Sequence, residues 1–155
     1  MKPSHILAAL TAAAASVAAI AVAQTSSQPA NLFPYDDPAA VMRGQALYAE
    51  NCASCHGVNL EGQGDWRSPN ENDRMPAPPH DQTGHTWHHP DLQLFAIVKY
   101  GTAALVGNGY ESDMAGYEGI LSDENILDVM AFIKSTWPTP IIERHNEMNA
   151  AVANQ

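Results

Sequence analysis

Residues 51–57, "NCASCHG", hold both cysteines of this 155-residue chain. No other stretch restricts the fold as much, because two thiols three positions apart, with an imidazole next to the second, suit few chemistries. A disulfide between Cys52 and Cys55 would close a very small loop and add little stability, since the entropic gain grows with loop length. Zinc normally takes four ligands, so two more would have to come from scattered histidines. A thiol redox centre expects a βαβ setting, which the sequence does not offer. Covalent haem attachment needs two thiols at a fixed separation to add across the two vinyl groups of one porphyrin. It also needs a histidine directly after, so that its ring reaches the iron from the same short segment. C-x-x-C-H meets that need literally.

The compartment agrees. Residues 1–23 open with Lys2, run uncharged through Ile6–Ile20 and close on "AVA" before Gln24. That is the anatomy of a secretory signal peptide cleaved after Ala23. The rival is an uncleaved anchor, but about 18 uncharged residues barely span a bilayer, and alanine supplies little apolar area. Covalent haem attachment in bacteria takes place outside the cytoplasm, so export to the periplasm fits, with no further hydrophobic span after cleavage. Losing Lys2 leaves 6 basic against 17 acidic side chains, a net charge of −11 with histidines neutral. Such a chain binds nucleic acid poorly, because that binding rests on Lys and Arg neutralising phosphates. Its acidity suits docking on basic surfaces, or serves solubility alone.

The mature chain is one domain by length. Residues 24–36 are polar with two prolines and read as a flexible lead-in. A helix starts at "DDPAAVMRGQALYAEN", with Asp37 as cap and Pro38 in the first turn. Val41, Ala46, Leu47 and Tyr48 form its apolar side. Residues 58–89 show little periodicity, and a loop that long in a small domain is functional or wrapped on something. A second helix is expected over "HPDLQLFAIVKYG", with Leu92, Phe95, Ile97 and Val98 inward and Gly101 as its stop. Residues 102–121 read as another loop. Ser122 then caps a strong helix, with Ile126, Leu127, Val129, Met130 and Ile133 at three-to-four spacing. The tail, 138–155, offers a short helix from Pro140 to about Ala150. No strand is evident, so the expected class is all-α with long loops.

Residues 37–137 resemble the class I c-type cytochromes. The resemblance rests on "RGQALYAENCASCHG", on the Met-bearing "SDMAGYEGILSDENI" and on the closing helix "ENILDVMAFIKSTW". It implies a cytochrome c-like fold, a few helices around one covalent haem c, with the first and last helices crossing. Gly44, Tyr48 and Phe132 match the places that meet in that crossing. Gly44 in mid-helix otherwise costs about 1 kcal/mol relative to Ala, so close helix approach gives it a physical reason. The resemblance further implies Cys52 and Cys55 as thioether anchors and His56 as the proximal iron ligand.

For the sixth ligand, position favours Met114. The family places that ligand between the penultimate and last helices, and Met114 lies eight residues before Ser122. Met75, in "MPAP", has the familiar Met-Pro pair but precedes the "DLQLFAIVKYG" helix. Ala115 departs from the family, where proline usually follows the ligand. Met130 reads as core, and Met148 as solvent-facing. His80, His85, His88 and His89 could hold copper or zinc, bond loop backbone, or reach a haem propionate. Trp87 could offer its indole N–H to a propionate, and a carbonyl within Pro76–Pro79 is expected to orient His56.

An iron closed by His and Met exchanges one electron and binds no substrate readily, and its ligation tunes the potential. The expectation is therefore an electron carrier, not an enzyme. It would take no small-molecule substrate and would meet redox proteins that present a basic docking surface. Three alternatives remain: a haem-bearing subunit of a periplasmic oxidoreductase, with Ile141 and Ile142 packing on a partner; a peroxidase-like haem enzyme, if the sixth position is open; and a metal-handling protein using the His-rich loop.

Overall fold

The computed structural model describes residues 31–154. The expected signal peptide and residues 24–30 lie outside the described residues.

Helix α1, Pro38–Asn51, begins where expected: the Asp37 side chain accepts from the Ala39 N–H at 2.9 Å, and Pro38 fills the first turn. Its buried positions are Ala40, Gly44 and Tyr48, every fourth residue. Val41 and Leu47 flank that stripe half-buried and Ala46 is exposed, so the inward face is narrower than expected. A stripe this narrow, centred on glycine, suits one close crossing. The partner is α5, Asp123–Ser135, capped by Ser122, whose Oγ accepts from the Asn125 N–H at 3.2 Å. A Cβ on Gly44 would lie 1.9 Å from the Asp128 carbonyl oxygen. The Tyr48 and Phe132 rings meet one turn along, centroids 5.4 Å apart. Arg43 reinforces the crossing with a bidentate pair to Asp128, Nε–Oδ2 2.7 Å and Nη2–Oδ1 3.0 Å.

Between these two helices lie α2, Ala53–His56; a 3-10 turn, Thr86–His88; α3, Asp91–Tyr100; and α4, Thr102–Val106. The short α4 was not expected. Helix α3 turns Asp91 and Leu94 into the core, with Phe95 and Val98 packed beside them, while Leu92 is 56% exposed. These four inward positions follow the i, i+3, i+4, i+7 pattern, and Leu92 falls off that stripe. The buried Asp91 fixes this rotation, and hydropathy alone gives no hint of it.

Both ends of the described chain are tied into the fold more closely than the sequence suggests. In place of a flexible lead-in through residue 36, Phe33 sits in the core and the Leu32 N–H donates to Asp91 Oδ2 at 2.7 Å. The tail forms α6, Thr139–Ala153, longer than the expected short helix. Its His145 Nε2–H donates to the His89 carbonyl at 2.9 Å. Asn149 Oδ1 accepts from the Asp91 N–H at 2.8 Å, and Asn146 donates to the Tyr35 hydroxyl. Ile141 and Ile142 pack against the chain's own core. Among the described residues the only β pairing is two isolated bridges, so the fold is all-α. No described helix is long and apolar enough to cross a membrane.

Candidate haem site

Cys52 caps the end of α1, and its carbonyl accepts from the N–H groups of Cys55 and His56 at 3.1 and 2.9 Å. One tight turn therefore carries all three side chains of the motif. Both cysteines are free thiols, Cys52 half-buried and Cys55 exposed. Burial, with a smaller contribution from charge at Cys55, pushes the Cys52 pKa up to about 11. Without a metal or a neighbouring cation to stabilise its thiolate, that thiol stays protonated near neutral pH.

His56 is buried, and its Nδ1 lies 2.9 Å from the Pro78 carbonyl oxygen. A carbonyl can only accept, so Nδ1 carries the proton and the lone pair is left on Nε2. Burial lowers the pKa of this ring more than the bond to Pro78 raises it, and the net shift favours the neutral form. Pro78 is thus the carbonyl within the expected 76–79 window. The long loop places it by stitching itself to the motif. The Gly62 N–H donates to the His56 carbonyl at 2.7 Å, and Gln63 and Ala77 pair through Gln63 N–H to Ala77 O and Ala77 N–H to Gln63 Oε1, each 2.8 Å. The His80 N–H donates to the Leu60 carbonyl at 2.8 Å. Leu60 holds a φ of +68° while 5% exposed, a strained conformation for a branched side chain that the surrounding bonds must maintain.

The four loop histidines do not act together. His80 stacks on His56, centroids 4.0 Å apart and planes 22° from parallel, and its Nδ1 lies 2.8 Å from Thr86 Oγ1. Its carbonyl accepts from the Trp137 indole at 2.8 Å. Nothing in the sequence separates His80 from its neighbours, because only the path of the loop brings it to the motif. His85 stacks on Trp66 and meets the edge of His89, while His88 stacks on Trp87. Among the described residues no three or more His, Cys, Asp or Glu side chains are arranged to hold a metal ion. The Trp87 Nε1 is buried and has no hydrogen-bond partner.

Met114 is half-buried in a loop laid on the end of α3. Ala115 bridges to Gly101, and the Tyr117 and Glu118 N–H groups donate to the Val98 and Lys99 carbonyls at 3.0 and 2.9 Å. Gly116 is needed for this fit, since a Cβ there would lie 2.5 Å from the Tyr100 carbonyl carbon. The Tyr117 hydroxyl donates to the Asn51 carbonyl at 2.5 Å, which brings the loop beside the C-x-x-C-H turn. Burial, then charge at Cys52 and Cys55, raises the pKa of that hydroxyl. Arg74 pairs with Asp113 and Glu111 from the neighbouring loop. Met75 is 39% exposed and lines a cleft of about 470 Å³ with Pro69 and Tyr110. Met130 is core, as expected, and Met148 is half-buried where a solvent-facing side chain was expected.

Two free thiols on one turn, an imidazole with its Nε2 lone pair unclaimed, and a buried indole N–H without a partner together fit a covalently held porphyrin. A cytochrome c family model matches residues 41–137, from α1 through α5. No curated protein and no solved structure matches the chain. With its motif geometry and a family match over more than half its length, the chain belongs to the cytochrome c family, which carries covalently bound haem c and transfers electrons through it.

Proposed function

We propose that the chain is a periplasmic carrier of single electrons, with haem c joined to Cys52 and Cys55 and its iron held by His56 and Met114. The observation that carries this reading is the bond between His56 Nδ1–H and the Pro78 carbonyl, because it aims a neutral imidazole at a metal through Nε2 alone. The haem supplies a one-electron iron couple whose potential is set by its axial ligands and surroundings. Every other part of the function falls to the chain. Pro78 fixes the tautomer and the ring orientation. His80 stacks on the imidazole and shields it from water. Trp87 holds an N–H for a propionate, the acceptor its burial otherwise denies it. Met114 would hold the iron through its thioether, which would leave the metal no site for a substrate.

Export follows from the N-terminal anatomy, and a net charge of −11 after cleavage favours redox partners with basic docking faces. Ile141 and Ile142, the residues that an oxidoreductase-subunit reading would turn to a partner, pack inward in this chain.

The test is the ferric absorption spectrum of the haem-loaded protein isolated from periplasm, wild type beside Met114→Ala. The mature mass should begin at Gln24. Wild type should show the weak long-wavelength charge-transfer band of methionine on ferric iron, and the variant should lose it. A wild type without the band points to an open or bis-histidine iron. Persistence in the variant transfers the role to Met75.

A further inference from the structure

We infer that Tyr117 is the positioning residue for the sixth ligand, holding the Met114 loop against the end of α1, one residue before Cys52. The inference rests on the reading of Met114 as that ligand. Ala115 follows Met114 and lacks the fixed φ that a proline would bring, so the restraint must come from elsewhere.

The contacts of the loop divide by what they fix. The Tyr117 and Glu118 N–H groups, the Ala115 bridge and the tight Gly116 approach all tie it to α3 and Gly101. None of these sets its place relative to α1 and α2, where Cys52, Cys55 and His56 sit. Among the described residues, the hydrogen bond that crosses from this loop to α1 is Tyr117 Oη to the Asn51 carbonyl, at 2.5 Å and one residue before Cys52. A phenol has one proton to give, and the ring is half-buried, so the bond fixes both the direction and the distance of the loop. On the other side of Met114, Arg74 pairs with Asp113 and Glu111. Those carboxylates are 61% and 71% exposed, and ion pairs at that exposure add little in water. The tyrosine bond is therefore the stronger restraint.

Tyr117→Phe removes the hydroxyl and keeps the ring. Losing one half-buried hydrogen bond of ordinary net strength shifts the equilibrium between a docked and a released loop by about fivefold. An external ligand reaches the iron only when the thioether leaves, so its apparent affinity should rise by the same factor.

The experiment titrates ferric, haem-loaded wild type, Tyr117→Phe and Met114→Ala with imidazole. It follows the long-wavelength methionine band, and records the melting temperature of each protein. The expected result is a Tyr117→Phe protein that keeps the band without imidazole and binds imidazole roughly fivefold more tightly than wild type. An unchanged imidazole affinity in Tyr117→Phe overturns the inference, and so does a lowered melting temperature with unchanged affinity, which marks a merely structural bond. If Met114→Ala keeps the band, the ligand reading itself fails and takes the inference with it. If Met114→Ala loses the band while Tyr117→Phe matches wild type, only the inference fails.

Discussion

His145 on α6 is 0% exposed and shows how much one buried side chain decides. Its Nε2–H is held by the His89 carbonyl, so the neutral ring turns a lone pair at Nδ1 toward Asp91 Oδ1, 3.6 Å away, and toward the Asn149 amide at 3.5 Å. Lys134 of α5, also fully buried, places its ammonium 3.7 Å from the same carboxylate oxygen and 4.7 Å from the centre of the Tyr35 ring. The Trp137 ring stands edge-on at 5.0 Å. Burial first, then the Lys134 charge, lower the pKa of His145. A histidine whose pKa is lowered by folding contributes its stability in full above its ordinary pKa of about 6.5. That contribution is lost as pH falls from there toward the folded-state value, by up to about 1.4 kcal/mol per pH unit. The stability advantage of wild type over His145→Gln, read from urea unfolding, should therefore shrink between about pH 7.5 and about pH 5. Among single residues, the C-x-x-C-H motif was legible because its chemistry is local. Pro78 was legible only as a window of four residues, and the pairing of His80 with His56 not at all, because both depend on how the long loop closes on itself.

Among the elements, the crossing of α1 on α5 organises the fold, and Gly44 is its closest point. Alanine at position 44 would regain about 1 kcal/mol of helix propensity. Its Cβ would meet a backbone carbonyl at 1.9 Å, and backbone has no rotamer by which to move aside. Overpacking of this kind costs typically about 1–3 kcal/mol, and a clash with backbone falls at the upper end. Gly44→Ala should therefore be destabilised by roughly 1–2 kcal/mol net, measured as the drop in urea midpoint at unchanged slope. The crossing was readable because glycine, tyrosine and phenylalanine fall at matching helical positions. The rotation of α3 was not, because its sequence offers Leu92 and Leu94 about equally and a buried carboxylate chooses between them. The extent of α6 also escaped. Its hydrophobic pattern is weak, and it is held by polar bonds from His145, Asn146 and Asn149.

Across the protein as a unit, charge governs encounters. A chain at −10 surrounds itself with a negative potential that reaches about 30 Å at 0.01 M salt and about 10 Å at 0.1 M. Electron exchange of the haem-loaded protein with a small cationic inorganic complex should slow several-fold across that range. Exchange with an anionic complex should accelerate, and stopped-flow mixing measures both. Equal salt responses for the two reagents would mean that the site of transfer does not feel the net charge. The family match stops at residue 137, whereas the structure is closed by parts beyond it: Leu32 and Phe33 on one side of α3, and α6 on the other end of Asp91.

The order of residues along the chain was enough to settle the cofactor class, the all-α architecture and the helix crossing, because thiol spacing, capping residues and helical periodicity act over a few positions. Folding in three dimensions was needed to choose which carbonyl grips His56, how the Met114 loop is tied to α1 and how both ends of the described chain lock onto Asp91. Those outcomes are hydrogen bonds between distant residues, as Arg43 with Asp128 and Tyr35 with Asn146 are at 85 and 111 positions apart, and no local pattern encodes such partners.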